Sequence, residues 1–289
     1  MTVLVAGATG TVGGEVVRRL AALGADVRAG ARDPGRAAAG LPPGVPPVRL
    51  DLEDPASWPV ALEGVDALFL LRPPEVARAS RLQPFLDAVV AAGVRRVVVL
   101  SVQAAGRNPL LPHRALEERV EATGLAWTHL RPANFFQNLL TVHREEIRDR
   151  SRISVPAGNG RTAHVDVRDL AEVAAAALTG PGHEGRAYEL TAREAPTFAE
   201  IAATLSAVLG RPVVYPRPGI VAFAREKRAQ GVAPGLVLVM TLLFTTTRLG
   251  LAGRTTGDLA RLLGREPTTL RRFVEDHADA WRTPEGAGA

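Results

Sequence analysis

Short apolar runs alternate with longer segments rich in Ala, Leu and Arg through the first half of the chain. The apolar runs are brief and nearly continuous, which is typical of parallel strands that are covered on both faces. They predict strands at 3–6, 26–29, 47–50, 67–71, 97–100 and 127–130. The segments between them predict helices at 12–23, 55–63, 76–92, 113–123 and 134–149. Repeated strand-then-helix units at this spacing predict an α/β fold with a doubly wound parallel sheet.

Several helix starts are marked by their capping residues. Asp33-Pro34 and Asp54-Pro55 each place a side-chain acceptor before a proline at the first helical position. Thr197 stands three residues before Glu200, the spacing of a capping box. We therefore expect helices to begin at these three points.

The pattern changes after residue 155. It predicts a helix over 166–178, strands over 187–190 and 213–215, and mostly helical structure after Pro218, ending in helices at 259–263 and 268–281. We therefore expect a first domain over 1–155 and a smaller, mostly helical C-terminal region over 156–289. In the alternative division, 163–190 returns to the first domain. The apolar stretch 231–253 has two open interpretations, a mobile flap over the site or a buried helix.

Composition removes several classes of protein. The chain has 289 residues, 46% hydrophobic and 22% charged, with a net charge of +5 and no cysteine. Disulfides, thiolate metal sites and cysteine nucleophiles are therefore excluded. The longest apolar run, 236–244, is too short to span a membrane, and no signal-peptide pattern opens the chain, so we expect a cytoplasmic protein. Basic residues alternate with acidic ones, which argues against a nucleic-acid partner.

The most specific motif is a glycine loop directly after the first strand. Gly7, Gly10 and Gly13 are spaced G-x-x-G-x-x-G and lead into an amphipathic helix. Gly7 permits a tight turn, Gly10 a close approach to a pyrophosphate, and Gly13 close packing of helix on strand. The pattern predicts a Rossmann-type domain that binds a dinucleotide at a helix N-terminus. The alternative is an α/β turn that simply requires glycine.

Arg32 lies nineteen residues after Gly13, where NAD-binding chains usually carry an acidic residue. A guanidinium there can bind a ribose 2′-phosphate through two hydrogen bonds. We therefore expect NADP(H) in preference to NAD(H). The alternative is a solvated surface cation.

Several motifs together resemble the NmrA-like family of atypical short-chain dehydrogenase/reductase proteins. They are the glycine loop, Arg32-Asp33-Pro34, Asp51-Leu52, LRPANFFQN at 130–138 and LGREPTTLRRF at 263–273. The resemblance spans nearly the whole chain. It implies a nicotinamide cofactor, but the family's activities differ. They include quinone reductases, a triphenylmethane-dye reductase, plant benzylic ether reductases, and redox sensors that bind NADP without turnover.

The resemblance also implies a set of cofactor contacts. Those expected at the pyrophosphate are Gly7, Thr9, Gly10, Thr11, Val12 and Gly13. Those expected along the nucleotides are Arg32 at the 2′-phosphate, Asp51 and Leu52 at the adenine, and Leu70, Leu71 and Arg72 beside the adenosine and the nicotinamide ribose. Those expected at the nicotinamide are Ser101, Pro132, Asn134 and Phe135.

The proton-transfer pair of the wider superfamily is missing from this chain. Neither Tyr188 nor Tyr215 lies four residues before Lys227, the one lysine, so no Tyr-x-x-x-Lys pair exists. His113, twelve residues after Ser101, and Glu117 occupy the corresponding places. Residues at i and i+4 share a helix face, so Glu117 could orient His113 or raise its pKa. We name His113, Glu117 and Ser101 as catalytic candidates; the alternative for His113 is a surface residue.

Two further residues are candidates for the substrate side of the site. We expect Phe136 and Asn138 to meet the substrate together with His113, and for Phe136 core packing is the alternative. The segment with His164, Asp166 and Asp169 offers no further ligand that would converge on a metal ion. We therefore expect no metal there and interpret these residues as a loop and a helix cap.

These patterns predict an NADPH-dependent reductase that transfers hydride to a small aromatic, quinone, enone or ketone substrate, acting as a monomer or homodimer. Two alternatives stay open. One is a non-catalytic NADP(H)-binding sensor that regulates a partner protein, which the missing acid pair favours. The other is an epimerase-like use of the cofactor, against which the missing pair counts.

Overall fold

The computed structural model describes residues 1–73 and 79–282. The chain divides into two compact units, each built from several segments. The first unit consists of Met1–Pro132, Val167–Leu190 and Arg261–Gly264, and the second of Ala133–Asp166, Thr191–Ala260 and Arg265–Ala289. The two-domain division expected from the sequence stays a prediction.

The described residues form nine strands. These are β1 (Thr2–Ala6), β2 (Asp26–Ala31), β3 (Pro47–Arg49), β4 (Ala67–Leu71), β5 (Arg96–Leu100), β6 (Ala126–Pro132), β7 (Asn134–Phe135), β8 (His164–Val165) and β9 (Arg186–Leu190). Seven of them make one parallel sheet in the first unit, in the order β3-β2-β1-β4-β5-β6-β9. The doubly wound α/β fold expected from the apolar runs is confirmed. Strand order reverses between β1 and β4, the position at which such sheets bind ligands.

Twelve α-helices accompany these strands in the described chain. They are α1 (Thr11–Ala22), α2 (Pro34–Ala38), α3 (Trp58–Leu62), α4 (Gln83–Ala91), α5 (Pro112–Glu121), α6 (Arg144–Arg150), α7 (Val167–Thr179), α8 (Phe198–Leu209), α9 (Ile220–Ala229), α10 (Pro234–Arg248), α11 (Asp258–Leu263) and α12 (Leu270–Asp276). Short 3₁₀ helices span Pro55–Ser57, Ala79–Leu82, Ala105–Arg107, Phe136–Leu139 and Ala278–Trp281. The first residues of the helix expected at 76–92 lie outside the described residues.

The predicted helix caps are present. The Asp33 side chain accepts a hydrogen bond from the Arg36 amide at 3.1 Å, and that of Asp54 from the Ala56 amide at 3.1 Å. Thr197 and Glu200 form a reciprocal capping box at the start of α8. These caps depend on residues within one turn of each other, and such local patterns can be recognised from sequence alone.

Each unit has its own core. In the first unit, apolar side chains of β1, β4 and β5 pack against α3, α4 and α5, with Leu68 and Phe85 fully buried. In the second, a cluster of aromatic side chains from 136 to 281 packs around α8, with Trp281 and Phe273 fully buried. β1, from which the glycine loop leaves, is therefore part of the buried core of the first unit.

The expected helix over 134–149 is wrong for most of its length. Asn134 and Phe135 instead form β7, which pairs in parallel with β8. A 3₁₀ turn follows, and only Arg144–Arg150 is α-helical. The Asn134 amide donates to the Ala163 carbonyl at 3.2 Å, so a residue 29 positions away takes the hydrogen bond that a helix would have needed. The expected strand 213–215 is also wrong, because Val214 makes only an isolated bridge to Arg152.

The stretch 231–253 contains α10, which is buried on one face only. Val237, Phe244 and Thr247 are buried, whereas the opposite face exposes its apolar side chains, among them Leu238 and Leu242. The buried-helix interpretation is therefore wrong for that face, and the flap interpretation stays a prediction. None of the helices in 1–73 and 79–282 is long and apolar enough to cross a membrane.

Candidate dinucleotide site in the first unit

The glycine loop turns sharply between β1 and α1. Gly7 has a φ of +66°, which favours glycine, and its carbonyl accepts a hydrogen bond from the Gly10 amide at 2.9 Å. A Cβ on Gly13 would collide with the Gly7 carbonyl, so α1 can begin this close to β1 only with glycine there. Gly10 is the N-cap of α1 and provides no side-chain cap, which leaves the first amides of the helix to a ligand.

A cavity of about 270 Å³ opens at this loop. Of the residues expected to bind a cofactor, seven line it: Gly7, Thr9, Gly10, Arg32, Asp51, Leu52 and Leu71. Thr11 begins α1 with an exposed side chain, and Val12 and Gly13 are buried in that helix. Residues from the ends of four neighbouring strands, β3, β2, β1 and β4, thus surround one space.

Leu70 is a correction to the expected contacts. Its side chain is fully buried in the core of the first unit, whereas that of the next residue, Leu71, lines the cavity. Successive side chains of a strand point to opposite faces, so the two leucines cannot both border the same ligand with their side chains.

The sequence interpretation overlooked Gly30, which lines the cavity near the end of β2. A Cβ there would come within 2.8 Å of the Leu50 side chain and 3.0 Å of the Val5 carbonyl. The available signal was a glycine inside a strand, which often marks a close approach of backbone or ligand. Ala6, Ala31, Leu50, Glu53 and Pro73 complete the lining.

The backbone of Asp51 is held on both sides. Its amide donates to the Ser57 hydroxyl at 3.0 Å, and its carbonyl accepts from the Trp58 indole at 2.8 Å. These two bonds hold the main chain of Asp51 where the residue lines the cavity. Arg32 lines the same cavity, one residue beyond β2.

These features fit a dinucleotide. The glycine loop leaves a cradle of backbone amides that a Cβ on Gly13 would destroy, and Arg32 lines the cavity beside it. Backbone amides at a helix N-terminus suit a pyrophosphate, and a guanidinium suits a phosphate monoester.

The Glu117 carboxylate is a buried ion-pair partner of Arg131. It is fully buried and accepts two hydrogen bonds from the Arg131 guanidinium at 2.8 and 2.7 Å, and a third from Arg114 at 3.2 Å. Burial alone would raise the pKa of Glu117, but the hydrogen bonds from Arg131 and the nearby Ser101 hydroxyl hold it below the usual value. Glu117 is therefore ionised and joins α5 to β6.

His113 is uncharged at neutral pH. Burial, and then the nearby charge of Arg72, lower the pKa of His113 to about 4, and the opposing pull of Glu117 is smaller. Glu117 does raise the pKa of His113, as expected, but burial and the charge of Arg72 outweigh this contribution, so the net pKa is lowered. As a neutral imidazole, His113 is a weak acid for proton transfer to a substrate.

Ser101 follows β5 and is buried. Its amide donates to the Leu130 carbonyl at 2.7 Å, which continues the pairing of β5 with β6. Its hydroxyl lies close enough to Glu117 to help lower the pKa of that carboxyl, yet it has no hydrogen-bond partner of normal length in the described chain. The two strands beside β5 are β4 and β6. Arg72 directly follows β4, and Pro132 is the last residue of β6.

The remaining candidates belong to the second unit and are described within it. Asn134 and Phe135 form β7, and Asn138 donates from its side chain to the Asn134 side-chain oxygen at 2.7 Å. Phe136 is fully buried and stacks on His164 and Phe273, with ring centroids 5.2 and 5.3 Å apart. This packing favours the core interpretation of Phe136 over substrate contact.

In the described chain, one group has the spacing of a metal site: Glu117, Glu121 and His129. Arg131 and Arg114 already supply two positive charges to its carboxylates, and the His129 ring stacks on Trp127. The group is accordingly a network of ion pairs under α5.

Comparison with known proteins assigns the chain to a family. The model of the NmrA-like family matches residues 1–225. The chain belongs to the NmrA-like family. An NAD(P)H azoreductase from Xenophilus azovorans is 34% identical over 283 residues, which cover 96% of this chain and 99% of that protein.

Two solved structures of this NmrA-like fold are also similar. A triphenylmethane reductase from Citrobacter sp. in complex with NADP(H) has a TM-score of 0.85 and 26% identity, covering 96% of this chain and 99% of its own. An NADPH-dependent quinone oxidoreductase from Escherichia coli in complex with NADPH has a TM-score of 0.85 and 28% identity, with the same coverage. The family resemblance inferred from the motifs is confirmed.

Proposed function

We propose that this NmrA-like protein is an NADPH-dependent reductase of small aromatic, quinone-like or azo substrates. The observation that carries the proposal is the cavity at the carboxyl ends of β1 and β2, where the glycine loop and Arg32 line one space. The azoreductase, the quinone oxidoreductase and the triphenylmethane reductase support the substrate class, since all three reduce conjugated acceptors.

The proposal of NADP(H) rather than NAD(H) rests on Arg32 in the cavity lining. Arg32 lies beside Gly30 and Ala31 in the lining, and its guanidinium can pair with a 2′-phosphate but gains little from a 2′-hydroxyl. The amides after Gly10 bind the pyrophosphate. Ser101, Arg72 and Pro132 are proposed on the nicotinamide side from the first unit, and Asn134 and Phe135 are proposed as nicotinamide contacts from the family resemblance.

When bound, NADPH supplies a hydride to the substrate. The chain's own residues bind and orient the two reactants and exclude water. They offer no Tyr-x-x-x-Lys pair, Glu117 is ionised and paired, and His113 is neutral. Substrates whose reduced oxygens or nitrogens accept protons from water therefore suit this site better than simple ketones, which need a protein acid.

The test is steady-state NADPH oxidation against a panel of one quinone, one azo dye, one enone and one aliphatic ketone. We expect turnover of the quinone and the azo dye, and little or none of the ketone. Turnover of the ketone alone would contradict the proposed substrate class. Binding of NADP⁺ in a titration without turnover of any acceptor would instead support a non-catalytic redox sensor.

A further inference from the structure

Three side chains of the second unit form a continuous chain of hydrogen bonds. His164 Nδ1 lies 2.9 Å from the Thr162 carbonyl oxygen, and His164 Nε2 lies 3.1 Å from the side-chain nitrogen Nδ2 of Asn134. The side-chain NH₂ group of Asn138 then donates to the Asn134 side-chain oxygen at 2.7 Å. The side chain of Asn134 is thus held from both ends.

The chemistry of the groups decides the direction of each bond. A backbone carbonyl only accepts, so His164 Nδ1 carries the hydrogen. Burial lowers the pKa of His164 to about 4, so the ring is neutral at pH 7 and Nε2 has a lone pair. Nε2 must therefore accept from the Asn134 NH₂ group, which leaves the Asn134 oxygen facing Asn138. One tautomer of His164 allows one orientation of the Asn134 amide.

The imidazole itself has no freedom to rotate. The ring is buried and lies nearly parallel to the Phe136 ring, at 5° between planes. The His164 carbonyl accepts from the Ala192 amide at 2.6 Å, and the pairing of β7 with β8 sets Asn134 beside His164. The main chain and the stacked ring together fix the position of Nε2.

Asn134 keeps unused hydrogen-bonding capacity. Its amide group has two hydrogens and two oxygen lone pairs, and the chain of bonds uses one of each. Within 1–73 and 79–282, no other hydrogen bond of this side chain is present, and the residue is only half-buried. One N–H and one lone pair can therefore meet a ligand group that both donates and accepts.

We propose that His164 is a positioning residue that presets the Asn134 amide for the carboxamide of the nicotinamide. The nicotinamide carboxamide likewise presents an N–H donor beside an acceptor oxygen, so the two amides can form two complementary hydrogen bonds. Ribose hydroxyls have the same mixed chemistry. The proposal rests on the proposed function, which assigns Asn134 to the nicotinamide.

A double-mutant cycle tests the proposal in the full-length protein. His164→Phe preserves the stack on Phe136 but removes the acceptor, and Asn134→Ala removes the amide. We expect each single variant to bind NADPH about five- to tenfold more weakly, as loss of one or two hydrogen bonds predicts. Because His164 acts through Asn134, the double variant should bind no more weakly than Asn134→Ala alone. Asn159→Ala, exposed elsewhere in the second unit, is the control partner and should combine additively with His164→Phe.

If the losses of affinity in the two single variants multiply in the double variant, the proposal is overturned, whereas the proposed reductase function is unaffected. Wild-type protein that binds no NADPH would overturn the proposed function and this inference together. Should His164→Phe fail to fold, nitrogen NMR of the wild type decides: we expect a protonated Nδ1 and an unprotonated Nε2, and the opposite tautomer contradicts the proposal.

A cofactor analogue identifies the ligand group. The 3-acetylpyridine analogue of NADPH has an acceptor but no amide donor. If Asn134 meets the carboxamide, wild type prefers NADPH over the analogue and Asn134→Ala loses that preference. An unchanged preference in Asn134→Ala would overturn the carboxamide assignment and point to the ribose hydroxyls.

Discussion

Single residues at the glycine loop have separate tasks. Gly7 provides a backbone conformation with positive φ, and Gly13 provides the absence of a side chain where α1 approaches β1. Arg32 adds charge to the same cavity. Because these contributions differ in kind, we expect substitutions at Gly13 and at Arg32 to affect cofactor binding in different ways.

Gly13→Ala is expected to abolish NADPH binding. The new Cβ would overlap the Gly7 carbonyl, so either the loop or α1 must move, at a cost of about 1–3 kcal/mol of stability. Thermal unfolding and a fluorescence titration with NADPH measure the two effects. Gly235→Ala in α10 is the matched control, since a Cβ there has no neighbour within 4 Å, and it should leave binding unchanged. Normal binding by Gly13→Ala would contradict the assigned role of the loop.

Arg32→Ala is expected to weaken NADPH binding at least tenfold and NADH binding by less than twofold. The physical reason is the loss of a charge-assisted pair with the 2′-phosphate, which NADH lacks. Arg36→Ala, an exposed arginine in α2, is the control and should change neither affinity. An equal loss for the two cofactors would remove the NADP(H) preference from the proposal.

At the scale of elements, α5 is joined to β6 by charge. Glu117 lies on α5, Arg131 lies on β6, and their two hydrogen bonds are buried. Gly106 makes room for the arginine, because a Cβ there would collide with the Arg131 guanidinium. Glu117, a catalytic candidate from the sequence, thus also links α5 to β6 through an ion pair.

Glu117→Gln is expected to lower the free energy of unfolding by about 3 kcal/mol, since it leaves the guanidinium groups of Arg131 and Arg114 without a buried countercharge. Glu118→Gln is the matched control on the same helix. Its carboxylate is exposed and pairs with Arg114 at 3.1 Å, so the loss should stay below about 1 kcal/mol. Denaturant unfolding compares the two variants, and equal stabilities would show that the Glu117 pair does not hold α5.

At the scale of the whole molecule, buried neutral histidines link stability to pH. Burial lowers the pKa of His113, His143 and His164 to about 4 each, below the ordinary value of 6.5. Between these values the unfolded chain binds protons that the folded chain does not, so stability falls as the pH falls. The carboxyl groups with lowered pKa act below about pH 4.5, which separates the two effects.

We therefore expect the free energy of unfolding to decrease from pH 6.5 to pH 5, by on the order of 1 kcal/mol per pH unit for each fully buried histidine. Denaturant unfolding at pH 7, 6 and 5 measures this slope. His143→Phe removes one of these groups and should make the slope shallower. A wild-type stability that is flat over this range would contradict the buried neutral state.

The amino-acid sequence by itself determined the sheet, the helix caps and the glycine loop. These depend on neighbours within a few residues, through apolar runs, Asp-Pro steps and glycine spacing, and the NmrA-like motifs followed from the same local patterns. The tertiary structure decided that 134–135 is a strand, that Glu117 is neutralised by Arg131, and that His164 orients Asn134. Each of those outcomes needs partners 14 to 30 positions apart, whose hydrogen bonds form only when the chain is folded. Local propensity carries no information about such partners, because burial and pairing energy are set by the assembled fold.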